Sequence, residues 1–293
     1  LISGSWDTTI KIWNMATGEC LRTLQGHSNS VNLLLLGNKE NELISGSYDC
    51  TIKIWNLESG QCLNTLRGHT SYILALAIND RNELISGSKD KRINIWDLET
   101  GTCLRTLIGH TSSIRELLIR NESEIVSESL DNTIKIWNIR SGECLRTFDS
   151  NGSYFSSAIV INGNNELVSG RRDSKIKIWD MDTGVNVRTL NGHSDSINTL
   201  IINFRNELIS GSDDNSIRIW NMTTCECLMT LEGHSSYVYG LFINNQNELI
   251  SKSFDNKIKI WNMTSGECLR TLSGKIGSTN MIIASENELV SAG

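Results

Sequence analysis

The chain of 293 residues contains no proline, although about 5 % is usual. Its turns must therefore be made by Gly, Asn, Asp and Ser. Long apolar runs are also missing. Stretches such as Leu33–Leu36 fall far short of the roughly 20 residues that a membrane-spanning helix requires. No membrane partner is expected. Positive charge is in short supply, with 27 Lys and Arg against 33 Asp and Glu and a net charge of −6. That balance argues against the basic stripe of a nucleic-acid-binding surface. No usable window carries apolar residues at helical spacing. Residue 1 already lies inside a repeat and is not Met. No signal peptide is read there, and the sequence is expected to be a fragment of a longer chain.

What the chain does have is repetition. With 39 % hydrophobic and 20 % charged residues, its composition is that of a soluble globular protein. The frame "SGSWD" at Ser3–Asp7 returns as "SGSYD" at Ser45, "SGSKD" at Ser86 and "SESLD" at Ser127. It continues as "SGRRD" at Ser169, "SGSDD" at Ser210 and "SKSFD" at Ser251. The tryptophans of the "I-x-I-W" segment are spaced by 42, 41, 41, 42, 41 and 41 residues. A period of this size suits either a helical-pair solenoid or a four-stranded propeller blade. "TIKIW" alternates over a short stretch, "ECLRTL" is equally short, and "VNLLLL" and "NELIS" supply two more strands. Four short strands per repeat select an all-β chain. The expectation is a seven-bladed β-propeller of four-stranded antiparallel blades, one domain over residues 1–293. Each repeat runs b, c, d and then strand a of the next. The last strand a, near Met281–Ala284, would complete the first blade. Two copies of strand b, at Leu1–Ser3 and Glu288–Ala292, then compete for one slot, so one is expected to be displaced.

Five repeats carry a Gly-His pair, then about 21 residues to an Asp and six more to the Trp. The pairs are Gly26-His27, Gly68-His69, Gly109-His110, Gly192-His193 and Gly233-His234. In this the chain resembles the WD-repeat β-propellers, over essentially its whole length. The Trp is followed by Asp only at Asp97 and Asp180, and by Asn in the other five repeats, a departure that conserves size. The resemblance implies a buried hydrogen-bonded network in each complete repeat. Its members are His27–Asp49–Ser45–Trp55, His69–Asp90–Ser86–Trp96 and His110–Asp131–Ser127–Trp137. The other two are His193–Asp214–Ser210–Trp220 and His234–Asp255–Ser251–Trp261. An imidazole can donate to one partner and accept from another, and a buried indole N–H needs an acceptor. Ser, His and Asp together also invite a hydrolase reading. Five copies suit a repeated structural task better, and no catalytic residue is assigned. Asn151 replaces the histidine before Asp173 and Lys275 replaces it in the last repeat, where it could pair with Asp7. Those two sites are expected to be the least rigid.

Eight cysteines invite comparison with a disulfide framework. Cys20, Cys62, Cys103, Cys144, Cys227 and Cys268, however, all hold one position in the outermost strand. Equivalent positions on neighbouring blades lie at least about 10 Å apart, while a disulfide needs Cα atoms within roughly 7 Å. Cys50 and Cys225 are extras at turns. Cys225-Glu-Cys227 has no second pair at metal-binding spacing, so neither metal nor cofactor is expected. Reduced thiols imply a cytoplasmic setting, with a nuclear one as the alternative. The strand lysines from Lys11 to Lys259 repeat, as do Glu42, Glu83, Glu124, Glu166, Glu207, Glu248 and Glu288. Charges that recur in every blade read as a solvated rim.

The variable residue before each Asp lies in the b–c turn. In an up-and-down blade that turn shares a face with the d–a connection, and loops on a rigid scaffold are where binding resides. The strand-a entrance adds Ser30 and Asn32, Tyr72 and Leu74, Ser113 and Arg115, Tyr154 and Ser156, Ser196 and Asn198, and Tyr237 and Tyr239. The candidate partner-binding residues on this face form two sectors. The aromatic one holds Tyr237, Tyr239, Phe254, Trp6, Tyr48 and Tyr72; the basic one holds Lys89, Arg115, Arg171 and Arg172. Leu130, Tyr154 and Asp213 complete the set. Aromatics and arginines anchor interfaces. The reading is a non-catalytic scaffold whose partner is a protein or peptide with an apolar anchor and an acidic or phosphorylated segment. No small-molecule substrate is expected. The alternatives are a nucleic-acid-binding platform through Lys89, Arg115 and Arg172 and an enzyme built on the propeller.

Overall fold

A computed structural model describes residues 2–14, 17, 19–149, 155–244 and 246–273, without the side chains of 155–157 and 273. Its strands form seven antiparallel sheets, numbered here as blades 1 to 7. Blade 2 is representative. Strand a is Val31–Leu36, b is Glu42–Ser47, c is Thr51–Asn56 and d is Cys62–Arg67, hydrogen-bonded in that order. Blades 3, 4, 5, 6 and 7 begin with strands Ile73–Ile78, Ile114–Asn121, Phe155–Ile161, Ile197–Ile202 and Val238–Ile243. Blade 1 shows three strands among the described residues, Ile2–Gly4, Ile10–Trp13 and Cys20–Leu24. The described residues fall into two compact units, divided between Thr147 and Phe148. The expected last strand a, the second copy of strand b, Asn151 and Lys275 lie outside the described residues.

The turns explain how the chain manages without proline. At the b–c turn a non-glycine residue takes positive φ in every blade: Thr8, Cys50, Lys91, Asn132, Ser174, Asn215 and Asn256. At the a–b turn Asn does so at Asn41, Asn82, Asn165, Asn206 and Asn247. Asn enters the left-handed region more readily than other side chains because its short amide bonds locally. The two extra cysteines fill such corners. Cys50 has φ 68°, and Cys225 has φ 63° at the c–d turn where Gly60, Gly101, Gly142, Gly184 and Gly266 stand in other blades. All eight cysteines are free.

Packing between consecutive blades of a unit is close. A Cβ on Gly87 would come within 2.5 Å of Ile114 Cγ2, and one on Gly211 within 2.7 Å of Val238 Cγ1. Glycine thus lets strand b approach the next blade's first strand. Between strands c and d the register shifts at the tryptophan, so that Ile54 pairs with Asn64 but Trp55 with Cys62. The extra residue, Leu63, is pushed outward at this bulge; Leu21, Leu104, Leu228 and Leu269 are its exposed counterparts.

A relay of hydrogen bonds runs through each complete repeat. Trp55 Nε1 donates to Ser45 Oγ at 2.8 Å, and that hydroxyl lies 2.8 Å from His27 Nε2. His27 Nδ1 lies 2.7 Å from Asp49 Oδ2. Asp49 also accepts from the Ser28 amide at 2.9 Å and from Thr51 Oγ1 at 2.6 Å. The same chain links Trp96, Ser86, His69 and Asp90, and Trp137, Ser127, His110 and Asp131. It recurs at Trp220, Ser210, His193 and Asp214, and at Trp261, Ser251, His234 and Asp255. Each of these serines is wholly buried, with its hydroxyl already engaged by indole and imidazole. Buried in this way, these hydroxyls are closed off from solvent. Blade 5 keeps the Trp179–Ser169 bond at 2.9 Å, and Phe148 packs edge-on against Trp179 at 5.7 Å.

The charge state follows from the relay. Nδ1–H donates to the carboxylate, so Nε2 is free to accept from the serine. Burial pulls the His27 and His234 imidazoles below their ordinary value of 6.5, against the pull of Asp49 and Asp255. Burial pushes the Asp49 carboxyl up. The hydrogen bonds from Thr51, Ser28 and His27 overcome it and hold the group at about 2, against an ordinary 3.8.

Replacing Ser45 by Ala leaves the Trp55 indole N–H and His27 Nε2 without their shared partner. Each buried orphan costs about 1–3 kcal/mol. Urea titration of Ser45→Ala is expected to show a loss of about 3 kcal/mol, while the exposed control Ser59→Ala loses under about 0.5 kcal/mol. Equal midpoints would refute a structural role for the relay.

Stability also depends on pH. Both imidazole and carboxylate have folded pKa values below their unfolded ones, so both contributions are present at high pH and lost on acidification. The urea midpoint is expected to fall first below 6.5, as unfolded imidazoles take up protons. It should fall again between 3.8 and about 2, as the carboxylate is protonated. A midpoint unchanged from pH 7 to 5 would contradict the neutral-imidazole assignment.

Candidate partner-binding site

The relay fixes the backbone on which the variable residues stand. Within the b–c turn the Asp49 amide donates to Ser47 Oγ at 3.0 Å and the Thr51 amide to Asp49 Oδ1 at 2.9 Å. Ser47 Oγ donates to the Asn29 carbonyl at 3.1 Å, tying the turn to the d–a connection. The two variable positions of a blade are bonded to each other. The amides of Tyr48, Lys89, Leu130, Asp213 and Phe254 donate to the carbonyls of Ser30, Tyr72, Ser113, Ser196 and Tyr237, at 2.9–3.0 Å. The turn residue and the strand-a entrance therefore form one surface in each of these blades.

In the first unit the aromatic side chains are stacked. Tyr48 and Tyr72 face each other with ring centres 4.5 Å apart and planes 16° apart. The Lys89 ammonium sits 4.9 Å from the centre of the Tyr72 ring. Offset stacking and a cation over a ring face each stabilise such an arrangement by about 1 kcal/mol. Trp6 is 73 % exposed, and Leu130 and Arg115 are exposed too. Asn32 turns its amide to the Ile73 carbonyl at 2.9 Å, which makes it a brace between blades 2 and 3.

In the second unit Phe254 lies 4.6 Å from Tyr239 and 6.3 Å, edge-on, from Tyr237. Phe254 is 61 % exposed, and Tyr237 is exposed beside it. Tyr239 is partly buried, and burial pushes its phenol up to about 12, so it stays neutral. Asp213 is held by Asn198 Nδ2 at 2.7 Å, and the same amide reaches the Val238 carbonyl at 3.2 Å. Arg172 is exposed. Arg171 does not belong with it: only 2 % exposed, it cannot present its guanidinium to a partner. It occupies the strand position of Ser47, Ser88, Ser129, Ser212 and Ser253, all buried, and its Nε lies 3.5 Å from Asp173 Oδ1. Tyr154 lies outside the described residues, as does the side chain of Ser156.

Two residues at this face escaped the sequence reading, although the repeat itself flags them. Glu128 and Lys252 stand where other blades have glycine. Glu128 is 1 % exposed, and burial pushes its carboxyl up to about 7 despite the nearby Arg115. Burial brings Lys252 down to about 8, and its ammonium lies 5.5 Å from the centre of the Tyr239 ring. The strand lysines also have defined partners. Lys11, Lys177 and Lys259 lie over the rings of Trp13, Trp179 and Trp261, and Lys53 and Lys135 bond Thr65 and Thr147.

The family model described as "WD domain, G-beta repeat" matches residues 1–14, 18–56, 60–97, 101–138, 142–180, 184–221 and 225–262. An uncharacterized WD repeat-containing protein of Schizosaccharomyces pombe is 54 % identical over 43 residues, 15 % of this chain and 12 % of that protein. WD repeat-containing protein pop2 of the same organism is 46 % identical over 41 residues, 14 % of this chain and 6 % of that protein. The matches thus span a small fraction of either relative's length. Among solved structures, the computationally designed Ika8 protein is similar, with a TM-score of 0.87 and 35 % identity, over 99 % of this chain and 89 % of that one. With a family match in every blade and sheets of this topology, the chain belongs to the WD-repeat family and has the fold class of a seven-bladed β-propeller.

Proposed function

We propose that this chain is a non-catalytic scaffold that recognises a partner protein or peptide on the face carrying the b–c turns and d–a connections. WD-repeat propellers generally act as protein-interaction scaffolds and are typically non-catalytic. The observation that carries the reading is the packing of exposed aromatic residues against half-buried ones within each unit. Tyr48 and Tyr72 stack under Lys89, and Tyr237 and Tyr239 flank Phe254. Preassembled aromatics lose little conformational freedom on binding, which is what an interface anchor needs. The partner would bring an apolar anchor to these rings. It would bring an acidic or phosphorylated segment to Lys89 and Arg115 in the first unit or to Arg172 in the second, since arginine pairs bidentately with carboxylate or phosphate. A cytoplasmic setting belongs to the same reading.

Affinity purification with three matched baits tests this: the unaltered chain, Tyr72→Ala in the first unit and Phe254→Ala in the second. Circular dichroism would first establish equal folding. Truncating an anchor costs about 2 kcal/mol or more at an interface, so a partner held by the unaltered chain should be lost, or weakened about thirtyfold, with at least one variant. A partner retained equally by all three baits would move the site off this face.

A further inference from the structure

A backbone amide can attack the side chain of the residue before it. An Asn followed by Gly is the most prone to this. With no Cβ on the second residue, nothing hinders its nitrogen as it approaches the carboxamide carbon. Two such pairs lie among the described residues, Asn162-Gly163 and Asn191-Gly192, both in the second unit. A third, Asn151-Gly152, lies outside them. As dipeptides the two are identical; their surroundings are not.

Asn162 belongs to an a–b turn, where a pairing rule holds. Asn79, Asn162, Asn203 and Asn244 donate Nδ2 to Glu83, Glu166, Glu207 and Glu248 in turn, at 2.7–2.8 Å. In blade 4 Arg120 takes the Asn position and reaches Glu124 at 2.8 Å. These glutamates are therefore bonded to their own turns, which a merely solvated rim would not require. Asn162 is 5 % exposed, and its Oδ1 accepts from the Asn164 and Glu166 amides at 3.0 and 2.9 Å. The Gly163 amide is engaged as well, donating to Asn206 Oδ1 at 3.3 Å. Electrophile and nucleophile are both tied down.

Asn191 follows strand Asn186–Leu190, the last of blade 5, on the connection that leads to His193. Asn191 and Gly192 are both exposed. Among the described residues, neither the Asn191 carboxamide nor the Gly192 amide makes a hydrogen bond. A Cβ on Gly192 would come within 2.9 Å of Trp220 Cη2, so the tryptophan of the relay requires glycine there. The residue before it is not constrained in this way. Gln25, Arg67, Ile108 and Glu232 hold the place of Asn191 in other blades.

We propose that Asn191 is a site of spontaneous deamidation in the folded chain, and that its isoaspartyl product unlocks the relay of blade 6. The Gly192 nitrogen forms a bond to Asn191 Cγ and gives up its proton; the Cγ–Nδ2 bond breaks and ammonia leaves. Water then opens the cyclic imide at either carbonyl, giving aspartate or isoaspartate. Water is consumed, ammonia is released, and no oxidation state changes. In isoaspartate the main chain runs through the former side chain and is longer by a methylene. That shifts Gly192 against Trp220 and draws His193 away from Ser210 Oγ and Asp214 Oδ2, each 2.7 Å from its imidazole.

The test ages the folded full chain in neutral buffer and follows each Asn by peptide mapping, with fragmentation that separates isoaspartate from aspartate. Acid at residue 191 is expected to accumulate at least about tenfold faster than at residue 162, where hydrogen bonds must open first. In guanidinium chloride the two sites should convert at similar rates, which assigns the difference to the fold. A residue 191 that stays an amide in the folded chain, or only matches residue 162 there, would overturn the proposal. Hydrogen exchange then reads the relay. The Ser194 amide, which donates to Asp214 Oδ2 at 3.0 Å, should lose protection about tenfold or more in the isoaspartyl chain. Asn191→Asp carries the charge without the longer backbone and should keep that protection. Asn191→Gln, the residue of blade 1, should neither deamidate there nor lose protection on ageing. Unchanged protection in the isoaspartyl chain, or an equal loss in Asn191→Asp, would overturn the unlocking.

Discussion

One buried serine hydroxyl holds the repeat together in each of five blades. It accepts from an indole on strand c and faces an imidazole from the preceding connection, so it joins three segments that are far apart in sequence. The imidazole passes the constraint on to the aspartate of the b–c turn. Such a network is favourable only when every member is satisfied. Where the histidine is missing, the serine still serves its indole and the aspartate still accepts from the amide two residues on, as at Ser3, Asp7, Ser169 and Asp173, so both persist in every frame while their neighbours drift.

The same constraint frees the residue before the aspartate. Its backbone is fixed by the turn and by the amide bond to the strand-a entrance, and neither depends on its side chain. The position can thus hold Trp, Tyr, Lys, Leu, Arg, Asp or Phe without disturbing the blade. A surface whose scaffold is rigid and whose side chains are unconstrained is suited to selection for binding. Where the frame itself changes, as at Glu128 and Lys252, a charge is buried at a glycine position and its ionisation shifts toward neutrality.

The two faces use charge differently. At the b–c turns of five blades the aspartates are consumed by the relay. At the a–b turns the glutamates are consumed by a local donor, Asn in four blades and Arg in one. That regularity shields Asn162 before its glycine, whereas Asn191, on a connection, has no such partner among the described residues.

Much of this was present in the sequence. The tryptophan period, the four short strands per repeat and the Gly-His, Asp and Trp spacing determined the blade and the members of its relay, because repetition copies local pattern and pattern alone sets strand order. The assignment of the variable residues to one turn came from the same topology. Tertiary structure decided what depends on side-chain direction and neighbours across blades. It buried Arg171, because strand b of its blade is covered on both faces from Leu167 to Arg171. It stacked Tyr48 on Tyr72, residues of different blades. It bound the Asn162 carboxamide within its own turn and left that of Asn191 exposed before the same kind of residue, a glycine. Sequence reports which residues share a position in the repeat; only packing reports which of them touch.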